Sequence, residues 1–239
     1  MVANMHQTII ELQNELKAGK KLQIKLLGDS ITHGAGGTGF RQDGEPIVEN
    51  FARNPHGFCW AKLFKEHLAE NYSCTVVNNG CTGTKIEFIL QHFDTLVDEN
   101  DDFVICMIGT NNRHQYFREG EKPSRETFGE RFYKNVLQLN DKFTKLGKRV
   151  IFMANIPASE KNEQDGAEFW RILHMCDINA IYKRAQEKAG FALISLYDLF
   201  TDYLAKSGAD LNEFLFDGLH PNDAGYKVMF ALLKAHFSV

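Results

Sequence analysis

Phe103-Val104-Ile105-Cys106-Met107-Ile108 is an unbroken apolar run that ends in Gly109-Thr110-Asn111-Asn112. A strand with one wet face alternates apolar and polar residues. Six apolar residues in succession therefore call for a strand covered on both faces, as in a parallel sheet packed between helices. A chain holding such a strand must supply helices for both sides. Strands of the same kind are expected at 22–27, 74–78, 149–154 and 191–195. Apolar residues at helical spacing predict helices over 5–17, 58–69, 85–97, 125–145, 168–189, 196–206 and 223–237. Five strands alternating with helices predict an α/β fold with a five-stranded parallel sheet, helices on both faces and right-handed crossovers. No linker-like stretch or repeat interrupts the pattern. Residues 1–239 read as one domain, with 1–20 as an N-terminal helical extension.

Composition narrows the function classes. With 44% apolar and 24% charged residues the chain reads as a water-soluble globular protein. A net charge of −4 provides no basic face for nucleic acid. The five cysteines form no C-x-x-C pair, which suits thiols in a reducing compartment. There is no basic-then-apolar leader pattern and no apolar run of membrane-spanning length, so a cytoplasmic location is expected.

Polar residues cluster at the turns. Leu22-Gln23-Ile24-Lys25-Leu26-Leu27 runs into Gly28-Asp29-Ser30-Ile31-Thr32, and the second strand runs into Asn79-Gly80-Cys81-Thr82-Gly83. The third strand delivers Asn111, and Asp217-Gly218-Leu219-His220-Pro221 precedes the last helix. Each has an ordinary alternative: Asp29 and Ser30 as a helix cap, Asn111 and Asn112 as turn residues, Gly80 and Gly83 at positive φ. Taken together they fill every role in acyl transfer. Ser30 is the candidate nucleophile, His220 the base, and Asp217 the group that holds the imidazole. The Ser30 and Gly83 backbone N–H groups and the Asn111 amide are the candidate oxyanion donors. This chemistry asks for no cofactor and no metal.

These four blocks, in this order and spanning nearly the whole chain from Leu22, resemble those of the SGNH hydrolases, also called the GDSL lipase/esterase family. The resemblance implies a flavodoxin-like three-layer fold and a serine ester hydrolase with Ser30, Gly83, Asn111 and His220 at the family's positions and Asp217 completing the triad. Asn112 departs from the family, whose members commonly carry Asp there; this bears on loop ordering and not on proton transfer.

Rival readings fit less well. Gly34-Ala35-Gly36-Gly37-Thr38-Gly39 matches G-x-G-x-x-G, but residues 30–33 separate it from the strand and no helix pattern follows Phe40, so the dinucleotide mechanism is lost. An ordinary α/β-hydrolase would carry G-x-S-x-G, and metal hydrolysis would need clustered ligands. Asp198 is an alternative acid better suited to capping, and His33 an alternative base without a neighbouring carboxylate. Long irregular stretches at 33–55 and 113–123 should border the site and select the alcohol. Their mixture of aromatic, polar and basic residues, with His33, Arg113, His114 and Tyr116 as candidate substrate contacts, suits a saccharide better than a lipid tail. The expected substrate is an O-acetyl ester of a carbohydrate. A lysophospholipase, an acyl-thioesterase and an O-acyltransferase of the same fold are the alternatives, and a non-enzymatic carbohydrate- or acyl-binding module is a weaker one. The oligomeric state is not legible in the sequence.

Overall fold

A computed structural model of the chain describes residues 6–237. Its strands are β1 (Leu22–Gly28), β2 (Pro46–Val48), β3 (Phe51–Ala52), β4 (Cys74–Gly80), β5 (Phe103–Met107), β6 (His114–Tyr116), β7 (Arg149–Ala154), β8 (Phe169–Arg171) and β9 (Ala192–Ser195). The helices are α1 (Gln7–Lys17), α2 (Ser30–His33), α3 (Trp60–Asn71), α4 (Ile86–Gln91), α5 (Phe93–Leu96), α6 (Arg125–Lys145), α7 (Met175–Ala189), α8 (Leu196–Ser207) and α9 (Asp223–Phe237). Met5, expected in the first helix, lies outside the described residues.

Five strands form one parallel sheet in the order β4-β1-β5-β7-β9. β5 occupies the middle, which is why its sequence is apolar throughout and all five of its residues are buried. Its side chains alternate between two cores. Phe103, Ile105 and Met107 pack with apolar residues of α1, α3, α8 and α9, whereas Val104 and Cys106 pack with those of α4, α5, α6 and α7. The three layers follow directly from that alternation.

Three local expectations need correction. The helix expected over 168–189 begins only at Met175; Phe169–Arg171 is instead a strand paired antiparallel with His114–Tyr116. Aromatic residues favour a strand wherever a partner edge is available, and the 113–123 segment supplies one. The helix expected over 85–97 breaks at His92 (φ −103°, ψ 21°) into α4 and α5. The stretch 33–55 is not wholly irregular, since it carries the β2–β3 hairpin.

Candidate active site

β4, β1 and β5 are neighbours and run parallel, so the turns after them open at one edge of the sheet. Ser30 follows β1, Gly83 follows β4 and Asn111 follows β5. Ser30 is the first residue of the short helix α2, whose N-cap is Asp29: the Asp29 Oδ1 accepts from the Ile31 N–H at 3.0 Å. The cap fixes the turn that presents the Ser30 hydroxyl. Burial pushes the Asp29 carboxyl above its ordinary range. Tyr226 of α9, fully buried, donates its hydroxyl to the Ala35 carbonyl at 2.7 Å, tying α9 to the end of the α2 turn. Nothing local to Tyr226 signals this role.

The histidine comes from the opposite end of the chain. His220 Nδ1 lies 2.7 Å from Asp217 Oδ2, and Nε2 lies 2.9 Å from Ser30 Oγ. A carboxylate only accepts, so the ring proton sits on Nδ1 and the Nε2 lone pair faces the serine hydroxyl. Asp217 Oδ1 accepts from the backbone N–H groups of Leu219 (3.0 Å) and His220 (2.8 Å). Partial burial raises the Asp217 carboxyl, but the hydrogen bonds and charge it shares with His220 outweigh this and hold it below its ordinary value. The turn is fastened from both sides. Phe216 N–H donates to His220 O at 2.7 Å, and Ser159 N–H donates to Gly218 O at 2.8 Å. Gly218 has φ 86°, and a Cβ there would lie 2.4 Å from Ser159 Oγ, so only glycine fits. Ser159, in the loop after β7, is a second support that its own sequence context does not reveal.

Asn111 is half-buried, and its Nδ2 donates one hydrogen to Thr84 O at 2.9 Å. The bond ties Asn111 to the turn that carries the exposed Gly83. Asn112 orders the same region: its Oδ1 caps α4 through Ile86 N–H (2.9 Å) and its Nδ2 reaches Glu87 (2.8 Å). The Asn112 amide thereby anchors the turn after β5 to the start of α4.

Two of the residues expected to touch substrate are internal instead. Arg113 is fully buried, its guanidinium held by Glu163 Oε2 (2.7 Å), Asn162 Oδ1 (2.8 Å) and Thr110 O (3.0 Å). Burial lowers it to about 10, and it stays charged. Its job is to fasten the loop after β7 to the turn after β5. His33 is likewise buried, with Nε2 donating to Ala52 O (2.9 Å) and Nδ1 against Thr82 Oγ1 (2.9 Å); burial lowers its pKa. Both ring nitrogens are spoken for, so His33 holds the β2–β3 hairpin and is no alternative base. His114 and Tyr116 are only partly buried and form a ring cluster with Phe169, at centroid distances of 4.9 Å (His114–Phe169) and 6.2 Å (Tyr116–Phe169). Lys85 reaches from the Gly83 turn to His114 O at 3.3 Å, which ties this cluster to that turn. Burial, with Lys85, Arg171 and Arg113 nearby, lowers His114 to about 3. Asp198 accepts from Asn179 (2.8 Å) and pairs with Lys183 (2.6 Å) in the first turn of α8, where Ser195 is the cap.

His174, Cys176 and Asp177 bring three possible metal-ligand atoms within 4.8 Å of one another at the start of α7. Arg125 donates to both Asp177 oxygens at 2.6 Å, and the positive helix end adds to that charge, so the set is neutralised without an ion.

Solved structures share this architecture. Axe2, an acetylxylan esterase from Geobacillus stearothermophilus, superposes with a TM-score of 0.64 at 18% identity, covering 92% of this chain and 96% of its own. LAE5, an α/β hydrolase from the metagenome of Lake Arreo, gives 0.67 at 22% identity over 90% and 94%. The lipase/acylhydrolase of Enterococcus faecalis gives 0.61 at 22% identity over 89% and 93%. No curated protein matches in sequence. Residues 26–228, the stretch that contains all four polar turns, match the model of the GDSL-like lipase/acylhydrolase family, and the chain therefore belongs to that family of ester hydrolases.

Proposed function

We propose that this protein is a serine esterase that removes O-acetyl groups from saccharide esters through an acyl-enzyme on Ser30. The single observation carrying the reading is the unbroken chain of hydrogen bonds from Asp217 through His220 to Ser30. Ser30 Oγ attacks the ester carbonyl while its proton passes to His220 Nε2, and Asp217 stabilises the imidazolium that forms. Charge developing on the carbonyl oxygen meets the Ser30 and Gly83 N–H groups and the unused Asn111 amide hydrogen. The alcohol leaves with the proton from Nε2. A water molecule, deprotonated by the same nitrogen, then releases the acid and restores Ser30.

The saccharide reading rests on the His114–Tyr116–Phe169 rings set among polar groups, a surface that suits a ring with an apolar C–H face and a polar rim. Fold neighbours that are acetylxylan esterases support it. We place the activity in one domain, without cofactor or metal. Five unpaired cysteines support a cytoplasmic location. Among the described residues no helix is long and apolar enough to cross a membrane.

The test is covalent labelling with an organophosphonate together with turnover of acetylated xylo-oligosaccharides. One equivalent of label, on Ser30, is expected, and Ser30→Ala should lose both label and activity with its fold intact. Activity retained in Ser30→Ala would end the serine reading. A kcat/KM that climbs from acetyl to octanoyl esters would move the substrate to a lysophospholipid or acyl-thioester. Acyl transfer to a sugar hydroxyl in preference to water would make the protein an acyltransferase, and no turnover of any ester would leave a binding module.

A further inference from the structure

Phe216 is 71% exposed although it directly precedes Asp217 in the sequence. Its backbone is held, by the Phe216 N–H to His220 O bond, yet its ring packs against nothing that buries it. An aromatic face is therefore free for a ligand directly beside the Asp217–His220 turn. The ring stands at the rim of an open groove of about 830 Å³ walled by residues 36–41, by Asn222 and by Asp223 and Ala224 of α9.

The groove adjoins the turn that carries Asp217 and His220. A Cβ on Gly36 would lie 2.5 Å from Pro221 O, 2.9 Å from His220 Cβ and 3.3 Å from Phe216 Cβ. The Gly34–Gly39 segment, which mimics a dinucleotide fingerprint, thus has a different physical use. Its missing side chains let the backbone pass close behind His220 and leave an open floor. Thr38 N–H donates to Asp223 Oδ1 at 2.8 Å, which anchors the floor to α9. Polar groups ring the groove at Arg41, Asn222 and Asp223, and Phe216 supplies it with a large exposed apolar side chain.

We propose that this groove is a second saccharide subsite, in which Phe216 stacks on a sugar residue neighbouring the one that bears the scissile ester. The proposal rests on the saccharide-ester reading above and extends it: the preferred substrate is an acylated oligosaccharide, longer than a monosaccharide. A pyranose offers an apolar C–H face to the ring and hydroxyls to the polar rim, whereas a fatty chain would lay apolar surface against the polar groups of Arg41, Asn222 and Asp223. The subsite adjoins the Asp217–His220 turn, which Gly36 packs against.

The experiment compares wild type, Phe216→Ala and Phe216→Trp on 4-nitrophenyl acetate and on an acetylated xylo-oligosaccharide. For Phe216→Ala, KM for the oligosaccharide should rise roughly three- to tenfold, as expected for one aromatic stack, with kcat kept. Its kcat/KM on the aryl acetate should stay within about twofold, and Phe216→Trp should keep the wild-type KM for the oligosaccharide. An unchanged oligosaccharide KM in Phe216→Ala would overturn the subsite while leaving the saccharide-esterase reading standing. Equal losses on both substrates would overturn it too, by making Phe216 a support for Asp217. Wild type that cleaves the aryl acetate and no acetylated saccharide would remove the reading beneath it, and the subsite with it.

Discussion

Replacing Asp217 with Asn tests the proposed catalytic chain at its least protected member. The oxygen of the replacement amide would keep the two backbone N–H bonds from Leu219 and His220 that Oδ1 now accepts. The turn should therefore survive, with a stability change within about 1 kcal/mol. What changes is the side facing His220. The amide NH2 would stand where Oδ2 now accepts from Nδ1 at 2.7 Å. The imidazole would then accept at Nδ1 and carry its proton on Nε2, pointing at Ser30 with no lone pair to receive the hydroxyl proton. The lost charge adds to this. At about 4 Å, a carboxylate stabilises the forming imidazolium by about 1 kcal/mol in water and about 4 at an effective dielectric of 20. Asp217 is 45% exposed, which places it between those limits. About 2–3 kcal/mol corresponds to roughly two decades in rate. With the wrong tautomer included, kcat/KM should fall about 10³–10⁴-fold, the scale seen for this substitution in serine hydrolases generally. The assay is 4-nitrophenyl acetate hydrolysis alongside thermal unfolding, with Asp198→Asn as the comparison, since Asp198 is engaged by Lys183 and Asn179. An Asp217→Asn enzyme that keeps more than a tenth of wild-type kcat/KM would refute the argument. So would Asp198→Asn carrying the large loss.

Three other outcomes follow from the same geometry. Asn111→Ala should lower kcat by roughly 10²–10³-fold, the cost of one oxyanion donor, with the loss of its bond to Thr84 O limiting the stability change to about 1 kcal/mol; a large fall in Tm with near-normal kcat would make it structural only. Arg113→Met should leave Glu163 without its buried partner, destabilise the fold by about 3 kcal/mol and lower Tm by roughly 6–12 °C with KM little changed; a raised KM at unchanged Tm would return Arg113 to the substrate surface. Stability should fall as pH drops below about 6.5, because His33 and His114 are held neutral in the fold, His114 down to about 3, while the unfolded chain takes up those protons first. Urea unfolding at pH 7.5, 6 and 4.5 checks this, and a midpoint that rises on acidification would contradict it.

The sequence by itself determined the elements whose signal is carried within one segment. β5 is apolar throughout because it is the middle strand, and a strand buried on both faces must read that way wherever its neighbours lie. α6 and β7 match their expected limits because the period of each, and the Ser124 that begins α6, are local. Three polar turns after three neighbouring parallel strands had to open at one edge of the sheet, so the common placement of the turns that carry Ser30, Gly83 and Asn111 was also legible in the sequence. Tertiary structure decided whatever depends on a partner far along the chain. Phe169–Arg171 became a strand because His114–Tyr116 offered an edge, which outweighed the helical pattern that follows. Arg113 went inside because Glu163, fifty residues on, neutralises it there; a charged side chain without such a partner would have stayed in water. His33 became a buried tether for the same reason, its two nitrogens satisfied by Thr82 and Ala52. An isolated residue states which interactions it can make, and only the folded neighbourhood supplies the charge, edge or carbonyl that decides which of them is made.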